Sequence, residues 1–231
     1  MSTHKGAQLT MSETSSSKVT RAVVLISGGG SNLQAFIEQI QAGDLPLDIV
    51  LVISNKEDAF GLERAKKANI QTVAINHHDF DSRVQFDQAL IGEIDALEPD
   101  IVILAGFMRI LTEEFVHRYH NRLVNIHPSL LPKYPGTNTH QRAVDAGDQW
   151  HGVSIHFVVP EVDAGPIILQ GRLSIGADDT SDSLQHRIHQ IEHVLYPQAV
   201  KWFAENCLSI DLDKVLLDGE TSVQQLQTFE L

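Results

Sequence analysis

Asn125 and His127 stand two residues apart at the end of the run Leu123-Val124-Asn125-Ile126-His127, directly before Pro128. Side chains of an extended strand alternate between faces. Val124 and Ile126 therefore share one face, and Asn125 and His127 the other, about 7 Å apart. Pro128 lacks the N–H that a ladder needs and ends the strand. An amide donor beside an imidazole suits chemistry that builds negative charge on a carbonyl oxygen. The imidazole also exchanges protons near neutral pH. A polar strand end facing water would look the same, so the surroundings must decide. A histidine in this role needs an orienting partner. Asp163, in the turn-rich stretch Pro160-Glu161-Val162-Asp163-Ala164-Gly165, is the candidate, although a turn alone would also explain an Asp there.

A second candidate is Ser27-Gly28-Gly29-Gly30-Ser31-Asn32. Backbone N–H groups of a glycine turn that opens a helix form an anion site. A dinucleotide fingerprint would need a small residue where Leu33 stands, and no Gly-Lys-Ser/Thr follows. The loop thus fits a monophosphate better than a pyrophosphate or triphosphate; a plain glycine turn is the alternative.

No activated nucleophile is evident. There is no Gly-x-Ser-x-Gly, and the single cysteine, Cys207, follows a helix with no motif around it. His186, His189 and His193 share a helix face, but without His-Glu-x-x-His or Cys-x-x-Cys spacing they read as a polar face rather than a metal site. His77-His78 reads as loop. A group-transfer enzyme with an oxyanion device and no nucleophile of its own must use one carried by its substrate.

The elements that would position these groups alternate in type. Arg21–Ser27 is a buried strand, and a helix from Ser31 or Asn32 carries Leu33, Phe36, Ile37 and Ile40 to a stop at Gly43. Strands follow at Asp48–Ser54, Gln71–Ile75, Ile101–Ala105 and Leu123–His127. Between them lie helices at Phe60–Ala68, after a capping box at Ser82–Gln85, and at Thr112–Tyr119. Beyond His127 the spacing predicts a short helix at Gln141–Ala146 and strands at Gly152–Val159 and Ile167–Leu173. A long helix at Ser181–Glu205, interrupted at Pro197, and a hairpin within Leu208–Leu217 complete the chain. This order predicts an α/β fold: a doubly wound, mostly parallel, Rossmann-like sheet with helices on both faces and a short C-terminal hairpin. Its strands bind ligands at their C-terminal ends.

With 231 residues, one domain over 21–231 is expected, preceded by a polar, Ser/Thr-rich flexible extension over 1–20 that lacks the apolar stretch of a secretory signal. A lone cysteine excludes an intrachain disulfide and fits a reducing, cytoplasmic setting. No apolar run is long enough to span a membrane. The net charge of −13 argues against a nucleic-acid surface, so an anionic substrate must be held by local devices.

Several segments together resemble the phosphoribosylglycinamide formyltransferases of purine synthesis: VLISGGGSNLQA (24–35), ISNKEDAFGLERA (53–65), LAGFMRIL (104–111), NIHPSLLPKYPG (125–136), HFVVPEVDAGPIILQ (156–170) and IEHVLYP (191–197). The resemblance covers roughly Ala22 to Ala204. It implies transfer of a formyl group from 10-formyltetrahydrofolate, a co-substrate, to the amine of glycinamide ribonucleotide, with no metal and with a monomer or homodimer as the assembly. By position, Asn125, His127 and Asp163 match the catalytic trio, with Asp163 favouring the protonated form of His127. Gly30, Ser31 and Asn32 match the ribonucleotide phosphate loop, and Glu192 a carboxylate that helps hold that substrate. Folate-binding positions fall on Arg83, on Met108, Arg109, Ile110 and Leu111, on Asn125, and on Val159, Pro160, Glu161, Val162 and Asp163. Gly29, where many members have Asn, and Asn138, where His would fit, depart from the pattern. The nearest alternative is a formyltetrahydrofolate hydrolase, which uses water instead of an amine. A tRNA formyltransferase, a non-catalytic nucleotide or folate sensor and a dinucleotide oxidoreductase are the other rivals.

Overall fold

The computed structural model describes residues 19–220 and 226–231. The expected extension lies outside the described residues except for Val19 and Thr20, and Thr20 already opens the first strand.

Strands and helices alternate from there: β1 Thr20–Ile26, α1 Ser31–Ala42, β2 Leu47–Ser54, α2 Phe60–Lys67, β3 Thr72–Ala74, α3 Arg83–Asp95, β4 Ile101–Leu104, α4 Glu113–Arg118 and β5 Leu123–His127. The second half holds α5 Thr139–Asp145, β6 Trp150–Phe157, β7 Ile167–Ser174, α6 Ser181–Ala204, β8 Leu208–Asp211, β9 Lys214–Leu217 and β10 Leu226–Phe229. Eight strands form one sheet in the order β10-β7-β6-β5-β4-β1-β2-β3, while β8 and β9 pair as a separate antiparallel hairpin. The pairs among β1 to β5 are parallel, β6 is antiparallel to both neighbours, and β10 joins β7 in parallel.

The parallel strands are apolar throughout because both faces are covered. Along β1, Ala22, Val24 and Ile26 enter the core shared with α1 and α6, whereas Val23 and Leu25 enter the core under α3 and α4. Each fully buried Leu, Ile, Phe or Val side chain contributes about 1.5–3 kcal/mol, so the two cores fix the strand faces and, with them, the faces of Asn125 and His127. No helix of the described residues is long and apolar enough to cross a membrane.

Four details differ from the sequence expectation. Helix α6 runs through Pro197 without interruption. Proline in a helix interior costs about 3 kcal/mol or more, and the buried face of α6, including Leu184, Ile188, Ile191, Leu195, Tyr196 and Val200, outweighs it. Strand β10 was not anticipated, since Leu226-Gln227-Thr228-Phe229 is short and half polar. At Ser82 the hydroxyl accepts from Gln85 N as a cap should, but the Gln85 side chain reaches Asp81 N rather than Ser82 N. Helix α5 begins two residues earlier than its periodicity suggested, at Thr139.

The order β3-β2-β1-β4-β5 places the switch in winding between β1 and β4, and the loops after β1, β4 and β5 leave the same edge of the sheet.

Candidate active site

A cavity of about 720 Å³ opens at this edge, and its lining includes Asn125, His127 and Asp163. Strand β5 sets the first two. Val124 and Ile126 are buried in the α1/α6 core, so Asn125 and His127 face the other way, as alternation requires. The antiparallel partner β6 places His156 opposite Asn125 and Ser154 opposite His127.

His127 is 5% exposed, and its two nitrogens have different neighbours. Nε2 lies 2.8 Å from the Tyr134 carbonyl oxygen, to which it donates. Nδ1 faces Asp163, 3.4 Å from Oδ2. A second proton can therefore enter the ring only at Nδ1, beside the carboxylate. Asp163 sits in the β6–β7 connection with a left-handed φ of 54°. Its Oδ2 also accepts from Gly136 N at 2.8 Å, which holds the carboxylate in place. The bend of this connection requires Gly165, because a Cβ there would come within 1.8 Å of the Phe157 carbonyl oxygen.

The sequence reading gave His156 no role. Its Nδ1 donates to the Phe157 carbonyl oxygen at 2.9 Å, which leaves Nε2 as an acceptor, and Asn125 Nδ2 lies 3.3 Å away. Burial lowers the pKa of His156, against a smaller opposing effect of the hydrogen bond to Phe157, and keeps the ring neutral. The Asn125 amide is thereby turned with its NH2 toward His156. The available signal was strand alternation: Ser154 and His156 are spaced as Asn125 and His127 are, two residues apart on facing strands.

The expected folate positions Met108, Arg109, Ile110 and Leu111, together with Val159, Pro160, Glu161, Val162 and Asp163, all line the same cavity. Met108, Ile110 and Val162 are 74%, 60% and 52% exposed. Large apolar side chains open to water at a cavity mark a ligand surface. Arg83, at the start of α3, does not line it. His140 of α5 does; it bonds His151 across 3.0 Å, and burial lowers both pKa values to about 4. Asn138, with φ 59°, precedes α5 on the cavity wall.

The ribonucleotide group is a separate cluster after β1. Gly30 takes φ 69° ahead of α1, and a Cβ there would meet the Gly61 Cα at 2.7 Å. Gly61 N also donates to Gly28 O, so the loop packs directly on α2. Arg64 Nε donates to Gly29 O at 2.8 Å, which brings a cation to this loop that the sequence reading did not include. Asn32 Nδ2 donates to Glu192 Oε2 at 2.9 Å, joining two residues 160 apart in sequence. Both are buried, and the Oδ1 of Asn32 has no hydrogen-bond partner. Burial raises the pKa of Glu192 to about 7, against a smaller lowering by Asn32. None of Gly30, Ser31, Asn32 and Glu192 lines the cavity that holds the trio.

No group of three or more His, Cys, Asp or Glu side chains among the described residues is placed to hold a metal ion. His189 and His193 stack with ring centroids 6.4 Å apart on α6.

Residues 20–200 match the formyl transferase family. The chain is 50% identical over 198 residues to the phosphoribosylglycinamide formyltransferase of Escherichia coli, covering 86% of this chain and 93% of that protein. It superposes on the structure of a phosphoribosylglycinamide formyltransferase from Coxiella burnetii with a TM-score of 0.86 at 48% identity, over 92% of this chain and 100% of that one. A formyltetrahydrofolate deformylase from Burkholderia mallei is more distant, with a TM-score of 0.78 at 25% identity, over 87% of this chain and 70% of that one.

Proposed function

The chain belongs to the formyl transferase family, and from that premise we infer that it transfers the formyl group of 10-formyltetrahydrofolate to the amine of glycinamide ribonucleotide, yielding formylglycinamide ribonucleotide and tetrahydrofolate. The folate is a substrate consumed in the reaction. The observation that carries this reading is the convergence of Asn125, His127 and Asp163 on one wall of the apolar-rimmed cavity.

The amine nitrogen of the ribonucleotide attacks the formyl carbon, and the carbonyl π electrons move onto oxygen. Asn125 Nδ2–H and a proton on His127 Nδ1 are the donors for that oxyanion. Donors fixed before the reaction lower its barrier because they need no reorganisation as charge develops. His156 and Tyr134 O hold the two donors, and Asp163 offsets the imidazolium charge. The oxyanion then collapses, the bond from carbon to folate N10 breaks, and the proton lost by the amine is taken up by N10. A water or Asp163 relays that proton.

The Gly28–Asn32 turn, with Arg64 behind it, supplies N–H donors and positive charge for the ribonucleotide phosphate. Asn32 and Glu192 present a buried amide oxygen and a carboxyl to its polar groups. The apolar cavity wall takes the folate ring system.

The hydrolase reading shares the trio but activates water. Against it stand twofold higher identity to the transferase of E. coli than to the deformylase of B. mallei, and alignment over nearly the whole of the former but 70% of the latter. Purified protein mixed with 10-formyltetrahydrofolate should release folate only when glycinamide ribonucleotide is added. Release at the same rate without the amine would make the protein a hydrolase.

A further inference from the structure

Met108–Leu111 is neither helix nor strand, yet it contributes four consecutive residues to the cavity wall. An irregular segment keeps one shape only where its backbone groups are bonded. Side chains from other elements bond this one at both ends. Met108 N donates to Ser27 Oγ at 2.8 Å, and Thr112 N, just past Leu111, donates to Asp87 Oδ2 at 2.6 Å. Ser27 is itself oriented, because its hydroxyl donates to Asn55 Oδ1 at 2.6 Å and both residues are buried.

Asp87 is the more unusual of the two. It lies on α3 and is only 1% exposed, and its Oδ1 has no hydrogen-bond partner. A carboxylate this deep is costly unless charge and hydrogen bonds offset it. Thr112 N bonds it, and the cations that act on it are Arg83 and Arg109, both at expected folate positions. Thr112 also caps α4, its hydroxyl accepting from Phe115 N. Asp87 therefore fixes the junction where the cavity wall passes into a helix. Nothing in the formyl-transfer chemistry uses Asp87 or Ser27.

We propose that Asp87 and Ser27 are positioning residues for the folate: they clamp the two ends of Met108–Leu111 and so hold the apolar wall that Met108 and Ile110 present. The proposal rests on the folate reading of this cavity. Neither residue touches the trio; Asp87 bonds Thr112 and not the loop after β1, so its loss acts on folate binding and leaves the ribonucleotide site in place, whereas Ser27 directly precedes that loop.

The test is steady-state kinetics with both substrates varied, on wild type, Asp87→Ala, Asp87→Asn and Ser27→Ala. A buried backbone donor left without its acceptor typically weakens a site on the order of tenfold or more. Asp87→Ala should raise the KM for 10-formyltetrahydrofolate by about that factor, with the KM for glycinamide ribonucleotide close to wild type. Asp87→Asn keeps an oxygen for Thr112 N and should restore most of the folate affinity. Ser27→Ala should raise the folate KM from the other end; because Ser27 directly precedes the Gly28–Asn32 turn, only its folate KM is read, and an unchanged value overturns the clamp even if Asp87→Ala fails to fold. Equal rises in both KM values in Asp87→Ala, or an Asn variant as impaired as the Ala variant, overturn the clamp while leaving formyl transfer standing. Absence of folate turnover by the wild type overturns the folate reading and the clamp with it.

Discussion

Replacing Asp163 by Asn tests the charge in the trio with little change of shape. Gly136 N bonds Asp163 Oδ2 at 2.8 Å, so the amide oxygen of an Asn takes that position. The NH2 then lies where Oδ1 was, 3.9 Å from the Nε2 of His156, which is an acceptor. The loop is thus preserved and the negative charge is lost. At the 3.4 Å separation of His127 Nδ1 and Asp163 Oδ2, and an effective dielectric of about 20, the attraction between imidazolium and carboxylate is about 5 kcal/mol. Water at the partly open cavity will replace some of it. A loss of about 3–4 kcal/mol in the transition state corresponds to a fall in kcat on the order of 10²–10³. The assay is steady-state formyl transfer with each substrate varied in turn. The KM for glycinamide ribonucleotide should stay within a few-fold, since the loop after β1 proposed to hold its phosphate does not include Asp163. A kcat within tenfold of wild type would refute the electrostatic role of Asp163. A rise in ribonucleotide KM as large as the fall in kcat would show that the variant had damaged the fold.

Asn125→Ala should lower kcat on the order of 10²–10³, far more than it weakens either substrate; a loss below tenfold in the same assay would demote Asn125 to a structural role. Gly30→Val adds a Cβ into Gly61 at a left-handed φ, so the KM for glycinamide ribonucleotide should rise while calorimetric folate affinity holds; an equal loss of both would point to misfolding. Glu192 gives a pH effect of definite sign. Its pKa rises from 4.5 to about 7 on folding, so the folded state holds a proton that the unfolded chain has released, and stability falls as pH rises from 4.5 to about 7. Glu192→Gln should therefore melt higher than wild type at pH 8, by up to about 3 kcal/mol in unfolding free energy, and bind the ribonucleotide more weakly. An unchanged pH dependence of melting in Glu192→Gln would remove the buried carboxyl from the stability account.

Much of this was legible from residue types and spacing. The continuous apolar strands and helical periodicities gave the doubly wound sheet, because parallel strands covered on both faces leave an unambiguous pattern. Strand alternation placed Asn125 beside His127, and the break at Pro128 located the strand end. The turn-rich stretch offered Asp163 as the partner of His127, and the family resemblance favoured it over a plain turn residue. The pairing depends on a bend at Gly165 and a bond from Gly136 N that no local pattern encodes. His156 and the Tyr134 carbonyl escaped notice for the same reason: cross-strand register and a loop's carbonyl direction are set by tertiary packing. Pro197 predicts a break, but the burial that outweighs its helix penalty is set by tertiary packing and has no local signal. Arg83, an expected folate position, stands at the head of α3 as the cap at Ser82 predicts; it does not line the cavity and acts on Asp87.

Direct passage of the formyl carbon from folate to amine is tested by supplying 10-formyltetrahydrofolate carrying carbon-13 in the formyl group, together with glycinamide ribonucleotide, and following the label by NMR. All label released from the folate should appear in the formamide of the ribonucleotide, and omitting the amine should leave it on the folate. Label accumulating as free formate would refute direct transfer.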